Sequence, residues 1–282
     1  MPDAAELSRE FKRQHGYEPD FQTPQTFNEK IWRRIHFEHD PLYKVYGNKR
    51  FAPDYARSKV HSGLDFAERY GVWPRVDPSQ LAELPDSFIL KSSHGAGVNR
   101  IVRHRDNEDL TEVAAWLNKR ATTNLNAQRV CDPEAVIIAE ELLSGPDGEV
   151  PTDYKFHCFH APGERAFRWL LQLDTQRFGD HKKTIYGEDL SPLDFSWGNY
   201  ARDRGPLSAP DNFDAMVRIA QTLSEDFDYV RIDLYDVAGR VVFGEITPFH
   251  GGGWNVFDPA EWDVTIGRLW EPHQRDRVAR AG

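Results

Sequence analysis

Residues 229–247 read YVRIDLYDVAGRVVFGEIT, two alternating runs of β-branched and aromatic residues around a single glycine. Such a segment is an antiparallel hairpin. Val230, Ile232 and Leu234 point to one face of the first strand, and Arg231, Asp233 and Tyr235 point to the other. A three-residue loop, Val237-Ala238-Gly239 with Gly239 left-handed, is the expected connection. It sets Asp236 opposite Arg240, Asp233 opposite Phe243 and Arg231 opposite Glu245. Arg231, Asp233 and Glu245 then share a face, and two neighbouring carboxylates beside an arginine suit a magnesium ion that bridges phosphates. The same pattern also suits a solvated face with an Arg231–Glu245 cross-strand pair, and a slip of one residue would move Glu245 to the other face. Thr247, His250 and the run Gly251-Gly252-Gly253 follow at once. Consecutive glycines are costly unless the backbone must approach something closely.

The rest of the chain repeats this alternation. DYKFHCFH and AFRWLLQLD read as antiparallel strands, SFILK and NRIVRHR as a strand pair, and AVIIAEELL as a buried strand ending in two acids. Helices are expected over TFNEKIWRRIHFEHD, with Thr26 and Glu29 at capping-box spacing, and over DLTEVAAWLNKRA, NFDAMVRIAQTLSEDF and DPAEWDVTIGRLWEP. YGNKRFAPDYARSKV is expected to be helical but interrupted near Pro53. GVWPRV is expected to lead into a turn, and the stretch from KTIYG to the loop around residue 210 is expected to be loop-rich. Helices first, then strands in antiparallel order, give an α+β class rather than a doubly wound parallel sheet.

The 45 acidic residues outnumber the 35 basic ones, for a formal charge of −10. That balance disfavours binding to a nucleic-acid backbone. The first residues hold no apolar signal core and no run approaches a membrane span, so a soluble, cytoplasmic protein without membrane insertion is expected. Cys131 and Cys158 read as reduced packing residues, and no zinc-ligand spacing is present.

The segment ILKSSHGAGVNR places Lys91 at the mouth of a loop of Ser93, His94, Gly95, Ala96 and Gly97. Glycines and serines serve a tight turn, in which case Lys91 is a solvated strand-end charge. They also let backbone N–H groups approach an anion beside an ammonium group. The order of residues matches neither the Walker pattern nor G-x-G-x-x-G.

Taken in order, TFNEKIWRR, NKRF, LPDSFILKSSHGAGVNRI, IIAEELL, DYKFHCF, RIDLYDVAGRVVFGEIT, GGGW and PAEWD resemble an ATP-grasp enzyme of the TupA-like branch, associated with teichuronopeptide biosynthesis. The resemblance covers roughly residues 20–265. It implies an ATP-grasp fold, two α+β lobes with antiparallel sheets gripping ATP, plus a helical N-terminal region. The implied divisions are 1–75 (N-terminal, substrate side), 76–135 (small lobe with the glycine-rich loop) and 136–282 (large lobe with the metal-binding hairpin). Lys91 resembles the strand lysine that reaches adenine and the α-phosphate. Lys49 resembles the earlier phosphate lysine, although GNK stands where many relatives have an acid before it. Ser93, His94, Gly95, Ala96 and Gly97 resemble the loop closing over the phosphates. Glu140, Glu141 and Leu142 resemble the adenine-contacting hinge. Asp153 and Lys155 look like ribose or substrate-side contacts, Arg231 resembles the phosphate-binding arginine, and Asp233 and Glu245 the metal carboxylates. Many members carry Asn where Thr247 stands. A hydroxyl is the weaker magnesium ligand, so this departure bears on a second magnesium.

The resemblance implies ATP and Mg²⁺ as cofactors and a carboxylate–amine ligase that forms an amide through an acyl phosphate. Its implied setting is secondary-metabolite or surface-polymer biosynthesis. The partners would be a small-molecule carboxylic acid and an amino-acid-like amine, with Arg231, Lys155 and His250 as the catalytic set. A lone histidine such as His94 or His250 is also an ordinary hydrogen-bonded loop residue. Arg177, Lys182 and Lys183 either contact an acidic substrate or belong to a solvated loop. Rival readings are a small-molecule kinase, a sugar-transfer or accessory factor, and a non-catalytic nucleotide-binding module.

Overall fold

The computed structural model describes residues 3–38, 40–94, 97–123, 134–145, 148–161, 167–175 and 181–272. In chain order the described elements are α1 (Ala4–His15), α2 (Phe27–Phe37), α3 (Tyr43–Tyr46), α4 (Ala52–Lys59), β1 (Arg69–Trp73), α5 (Pro78–Ala82), β2 (Phe88–Ser92), β3 (Asn99–Val102), α6 (Leu110–Thr123) and β4 (Ile137–Glu140). There follow β5 (Asp153–Phe159), β6 (Arg168–Thr175), β7 (Lys182–Tyr186), β8 (Ser196–Trp197), α7 (Phe213–Ser224), β9 (Tyr229–Val237), β10 (Arg240–Thr247), β11 (Phe257–Asp258) and α8 (Glu261–Gly267). The class is α+β, with antiparallel pairing throughout the registers given below. No described helix is long and apolar enough to cross a membrane.

The chain forms two compact units that are discontinuous in sequence. One comprises residues 1–39, 152–233 and 247–282, and the other comprises residues 40–151 and 234–246. They do not coincide with the segments 1–75, 76–135 and 136–282. The boundary runs through the β9–β10 hairpin, so Asp233 belongs to the first unit and Glu245 to the second.

The second unit carries a four-stranded sheet in the order β1-β4-β2-β3, antiparallel at each pairing. Phe88 and Leu90 of β2, Ile137 and Ala139 of β4 and Val113 and Leu117 of α6 make its core, all essentially buried. Alternation does the sorting: Phe88, Leu90 and Ser92 are buried while Ile89 and Lys91 are half-buried on the other face. Two expectations are corrected here. Pro53 sits in the first turn of α4, where its missing N–H has no helical partner to lose, so it opens this helix instead of interrupting it. GVWPRV does not only lead to a turn, because its first residues complete β1 against β4. The hairpin tip also differs. Ala238 and Gly239 both have positive φ, 52° and 81°, so the turn has two residues and Val237 remains in the strand. The register derived from a three-residue loop, which opposed Asp236 to Arg240, Asp233 to Phe243 and Arg231 to Glu245, does not hold at this turn, and with it goes the expectation that Glu245 shares a face with Arg231 and Asp233. The Asp236 carboxylate instead accepts the Gly239 N–H, and Arg240 pairs with Asp65 at 3.0 Å.

The first unit carries the strands β9-β5-β6-β7 in that order, with β8 and β11 forming a small pair. KKTIY, expected in a loop, is β7, because Asp174 and Leu173 of β6 pair with Lys183 and Thr184. One face of β5 packs Phe156 on Phe213 of α7 and on Trp169. The capping box at Thr26 and Glu29 is present, with side chain and backbone satisfied reciprocally at 3.1 and 2.9 Å. The three glycines after β10 have an internal explanation. Gly251, Gly252 and Gly253 have φ of 58°, 60° and 69°. A Cβ on Gly253 would lie 2.5 Å from the Trp32 Cδ1 atom, while the Gly253 carbonyl accepts from the Trp32 indole at 3.0 Å and from the His15 ring at 2.8 Å. What the backbone approaches there is helix α2. Gly253→Ala is expected to cost about 2–4 kcal/mol, from the strained φ and the steric clash together, read as a lower urea midpoint at unchanged slope.

Asp263 of α8 clamps the start of α2. It accepts the Asn28 backbone N–H at 2.9 Å, the Asn28 amide at 2.9 Å and the Tyr17 hydroxyl at 3.1 Å. Burial pushes its pKa up to about 6, against the lowering effect of these hydrogen bonds. The folded chain therefore holds this proton more tightly than the unfolded chain does. The resulting stability is fully present below the unfolded carboxylate pKa and is lost as pH rises through about 6. Between about pH 4 and pH 7, the stability of the wild type relative to Asp263→Asn is expected to fall by on the order of 2 kcal/mol in chemical denaturation.

Candidate active site

In the second unit a carboxylate gathers cations from the two strands that flank its own. The β1–β4 register sets Arg69 opposite Glu140, and the β2–β4 register sets Ile89 opposite Glu140, which places Lys91 on the same face two residues along. Glu140 accordingly accepts from Lys91 Nζ at 3.0 Å through one oxygen and from Arg69 at 3.3 Å through the other. Glu140 is only 9% exposed, so both pairs are shielded. Arg69 also donates to the carbonyls of Lys49 and Arg50, each at 3.0 Å, which fixes the backbone that carries Lys49. The Lys49 N–H reaches the Ser93 carbonyl at 3.1 Å, and its ammonium lies 3.3 Å from Glu245. Lys49, Arg57, Arg69, Lys91, Glu140 and Phe243 line a cleft of about 530 Å³, open solvent included. Arg57 stacks on Phe66, which contacts Phe243.

The loop after β2 is anchored at its start. Ser93 exchanges backbone hydrogen bonds with Val136 and Lys49, and its hydroxyl accepts the Val136 N–H at 3.0 Å and meets His94 Nδ1 at 3.0 Å. Gly97 is left-handed at φ 78°. Gly95 and Ala96 lie outside the described residues. Glu141 uses both its N–H and its carboxylate on the backbone of Glu68, at 2.8 and 3.2 Å, and Leu142 is half-buried beyond the end of β4.

In the first unit Asp153 and Lys155 alternate onto one face of β5 with His157, and Arg231 and Asp233 lie on β9. Lys155 bonds Asp153 and reaches Asp233 at 3.0 Å. Arg231 grips Asp233 with two parallel bonds of 2.7 Å and gives a third, 2.8 Å, to His250 Nδ1. Asp233 is 2% exposed, and its charge is offset by two cations. A guanidinium cannot accept, so His250 Nδ1 is the acceptor and the ring proton sits on Nε2. Burial drives the His250 pKa far down, and His157, Arg231, Lys183 and Lys155 push it the same way. His157, lowered to about 3 by burial first and Arg231 second, bonds Tyr229 and Gln172. These two rings are neutral at physiological pH. His250 meets Arg231 as an acceptor rather than as a proton donor. Thr247 ends β10, half-buried.

The structure thus brings Lys49, Lys91, Glu140 and Glu245 together in one unit, and Asp153, Lys155, Arg231, Asp233 and His250 in the other. The sequence reading missed Arg69, His157 and Gln172. Arg69 stands at the start of a strand read as a turn, and the polar alternation Asp153, Lys155, His157 was a signal that this whole strand face is polar. Among the described residues no group of three or more His, Cys, Asp or Glu is placed to hold a metal. Asp233 and Glu245 offer hard oxygens. Each carboxylate, taken within its own unit, suits magnesium, which takes one or two carboxylates and fills its shell with phosphate oxygens and water, better than a metal needing an all-protein cage.

The match to known solved structures is distant. D-alanine–D-alanine ligase from Helicobacter pylori shares 16% identity at TM-score 0.47, over 81% of this chain and 62% of that one. Phosphoribosylamine–glycine ligase from Thermotoga maritima shares 15% at 0.43, over 73% and 48%. The ATP-grasp ligase PsnB, complexed with a phosphomimetic variant of its minimal precursor, Mg and ADP, shares 16% at 0.41, over 82% and 58%. The chain thus spans about half to three-fifths of the length of these proteins. No curated protein matches it. A family model described as TupA-like ATPgrasp matches residues 29–271, and the chain therefore belongs to the TupA-like ATP-grasp family.

Proposed function

We propose that this protein is an ATP-dependent carboxylate–amine ligase, acting on a small carboxylic acid and an amino-acid-like amine in a biosynthetic pathway. The observation that carries the reading is the cleft of the second unit, which Lys49, Arg57, Arg69 and Lys91 line together with Glu140, Phe66 and Phe243. Four cations against the carboxylates of Glu140 and Glu245 suit a polyanion, and the aromatic walls suit a base. Bound ATP with magnesium would supply the phosphoryl group that activates a carboxylate toward an amine.

The residues then take distinct parts. Lys91 and Lys49 bind phosphate oxygens as point charges, and Arg69 orients both through Glu140 and the Lys49 carbonyl. Glu245 is the carboxylate offered to magnesium in this unit. In the first unit Arg231 and Lys155 hold Asp233, the carboxylate this unit would offer to magnesium, and Thr247 would be a weaker oxygen ligand. A preorganised set of this kind stabilises charge as it develops without reorganisation at that moment.

An ADP-release screen across carboxylic acids and amines, with mass spectrometry of the product, tests the activity. Amide product with equimolar ADP is expected, and hydroxylamine should give a hydroxamate. A phosphate ester with no hydroxamate would make the protein a kinase. Glu245→Gln is expected to fold as the wild type does and to lower kcat at least about 100-fold. Asp233→Asn is a less clean variant, because it removes the compensation from two buried cations.

Nucleotide affinity gives a second check. Lys91→Met is expected to weaken ATP binding by about tenfold or more in calorimetry, with the circular dichroism spectrum retained. Unchanged affinity would remove Lys91 from the nucleotide site.

A further inference from the structure

Among the described residues, two fully buried donors in the first unit have nothing to donate to, and a lysine ammonium of the same unit is held only by a ring face. His250 Nε2 and Trp197 Nε1 are fully buried and make no hydrogen bond, and their rings lie 4.5 Å apart. Lys183 is 8% exposed, and its ammonium makes no hydrogen bond or ion pair with any described residue. Its one contact of this kind is with the face of Tyr200, 4.3 Å from the ring centroid. Buried lysines are almost always paired, and a buried donor without an acceptor costs about 1–3 kcal/mol. Two such donors, with the Lys183 ammonium near enough to lower the His250 pKa, suit an acceptor.

Lys183 shares the polar sheet face with the cluster around Arg231. Lys155 stands opposite Gln172, and Asp174, two residues on, stands opposite Lys183. Burial lowers the Lys183 pKa most, with Asp174 opposing and Arg231 and Lys155 reinforcing the shift. Asp174 is itself engaged by Gln172 at 2.9 Å and His181 at 3.2 Å. The cation under Tyr200 is covered on that side by a ring that solvent reaches, since Tyr200 is 37% exposed.

We infer that Lys183, His250 Nε2–H and Trp197 Nε1–H form a binding site for a substrate carboxylate, with Tyr200 as its cover. The inference rests on the ligase reading, which requires a carboxylate substrate, and it names residues that would select that group. Charge favours a carboxylate over a phosphate. Lys155, Lys183 and Arg231 balance Asp153, Asp174 and Asp233 on this face. A monoanion adds a single charge to a desolvated and balanced cluster, whereas phosphate at neutral pH adds nearly two. The donors also match in number, because a carboxylate offers about four lone-pair sites on two oxygens.

The test needs neither ATP nor turnover. The protein has eight tryptophans, and Trp197→Phe identifies the indole N–H resonance of residue 197 in a spectrum of ¹⁵N-labelled protein. Acetate, L-alanine, L-glutamate and inorganic phosphate are then titrated into the full chain. The expected result is a saturable shift of the Trp197 N–H with at least one carboxylate, at lower concentration than with phosphate. Lys183→Met should weaken that carboxylate about tenfold or more. It removes an ammonium that burial disfavours, so it should fold. Should it not, His250→Phe, which deletes another of the three donors, is expected to give the same loss. No saturable shift with any carboxylate, tighter binding of phosphate, or undiminished affinity in the variant that folds would each overturn the site. Amide-forming turnover without any carboxylate shift would reject this site and leave the ligase reading intact. A carboxylate shift without ADP release would do the reverse.

Discussion

The first unit depends on a single buried carboxylate. Asp233 sits between the Arg231 fork and the Lys155 ammonium, with bonds of 2.7 and 3.0 Å. Removing one partner of a buried pair typically costs about 3–5 kcal/mol, because the remaining charge is stranded in a low dielectric. With Asp153, which also pairs with Lys155, that acid offsets the cations on the polar sheet face. The third hydrogen bond of Arg231 then sets the His250 tautomer, and the tautomer decides that the buried Nε2 carries a proton. A chain of consequences runs from one acid to a neutral histidine that presents a donor.

The second unit follows the same logic with a different geometry. Glu140 takes Lys91 from one neighbouring strand and Arg69 from the other, so strand register alone brings the three together. Arg69 extends the order outward by holding the carbonyls of Lys49 and Arg50. The lysine farthest away in sequence is thus placed by an arginine that does not need to touch a ligand. Both units hold shielded acids against neighbouring cations. That leaves each cation oriented and partly neutralised until an anion competes for it.

Legibility tracked how local the cause was. The capping box at Thr26 and Glu29 is a four-residue pattern, and it appears as expected. Gly239 was read as left-handed and is so, but Ala238 joins it, and the shorter turn shifts the pairing next to it. A sequence does not announce that an alanine will take positive φ, because the cost is met by strand pairing elsewhere. KKTIY looked like loop because its two lysines break the apolar alternation, yet Lys183 is buried opposite Asp174. The glycines 251–253 signalled a close approach correctly and gave no hint that the neighbour would be Trp32, far away in the sequence.

The sequence by itself determined which polar side chains share a strand face and in what order they come. Alternation with period two puts Asp153, Lys155 and His157 on one strand face and Arg231 and Asp233 on another, whatever the surroundings. Tertiary structure alone decided which of these meet. Arg69 reaches Glu140, His250 accepts from Arg231, and the Lys183 ammonium lies against the Tyr200 ring, each between residues apart in the chain. The physical reason is that hydrogen bonds and ion pairs act over a few ångströms. Their partners are therefore chosen by strand register and burial, which depend on the whole packed unit and not on any local pattern.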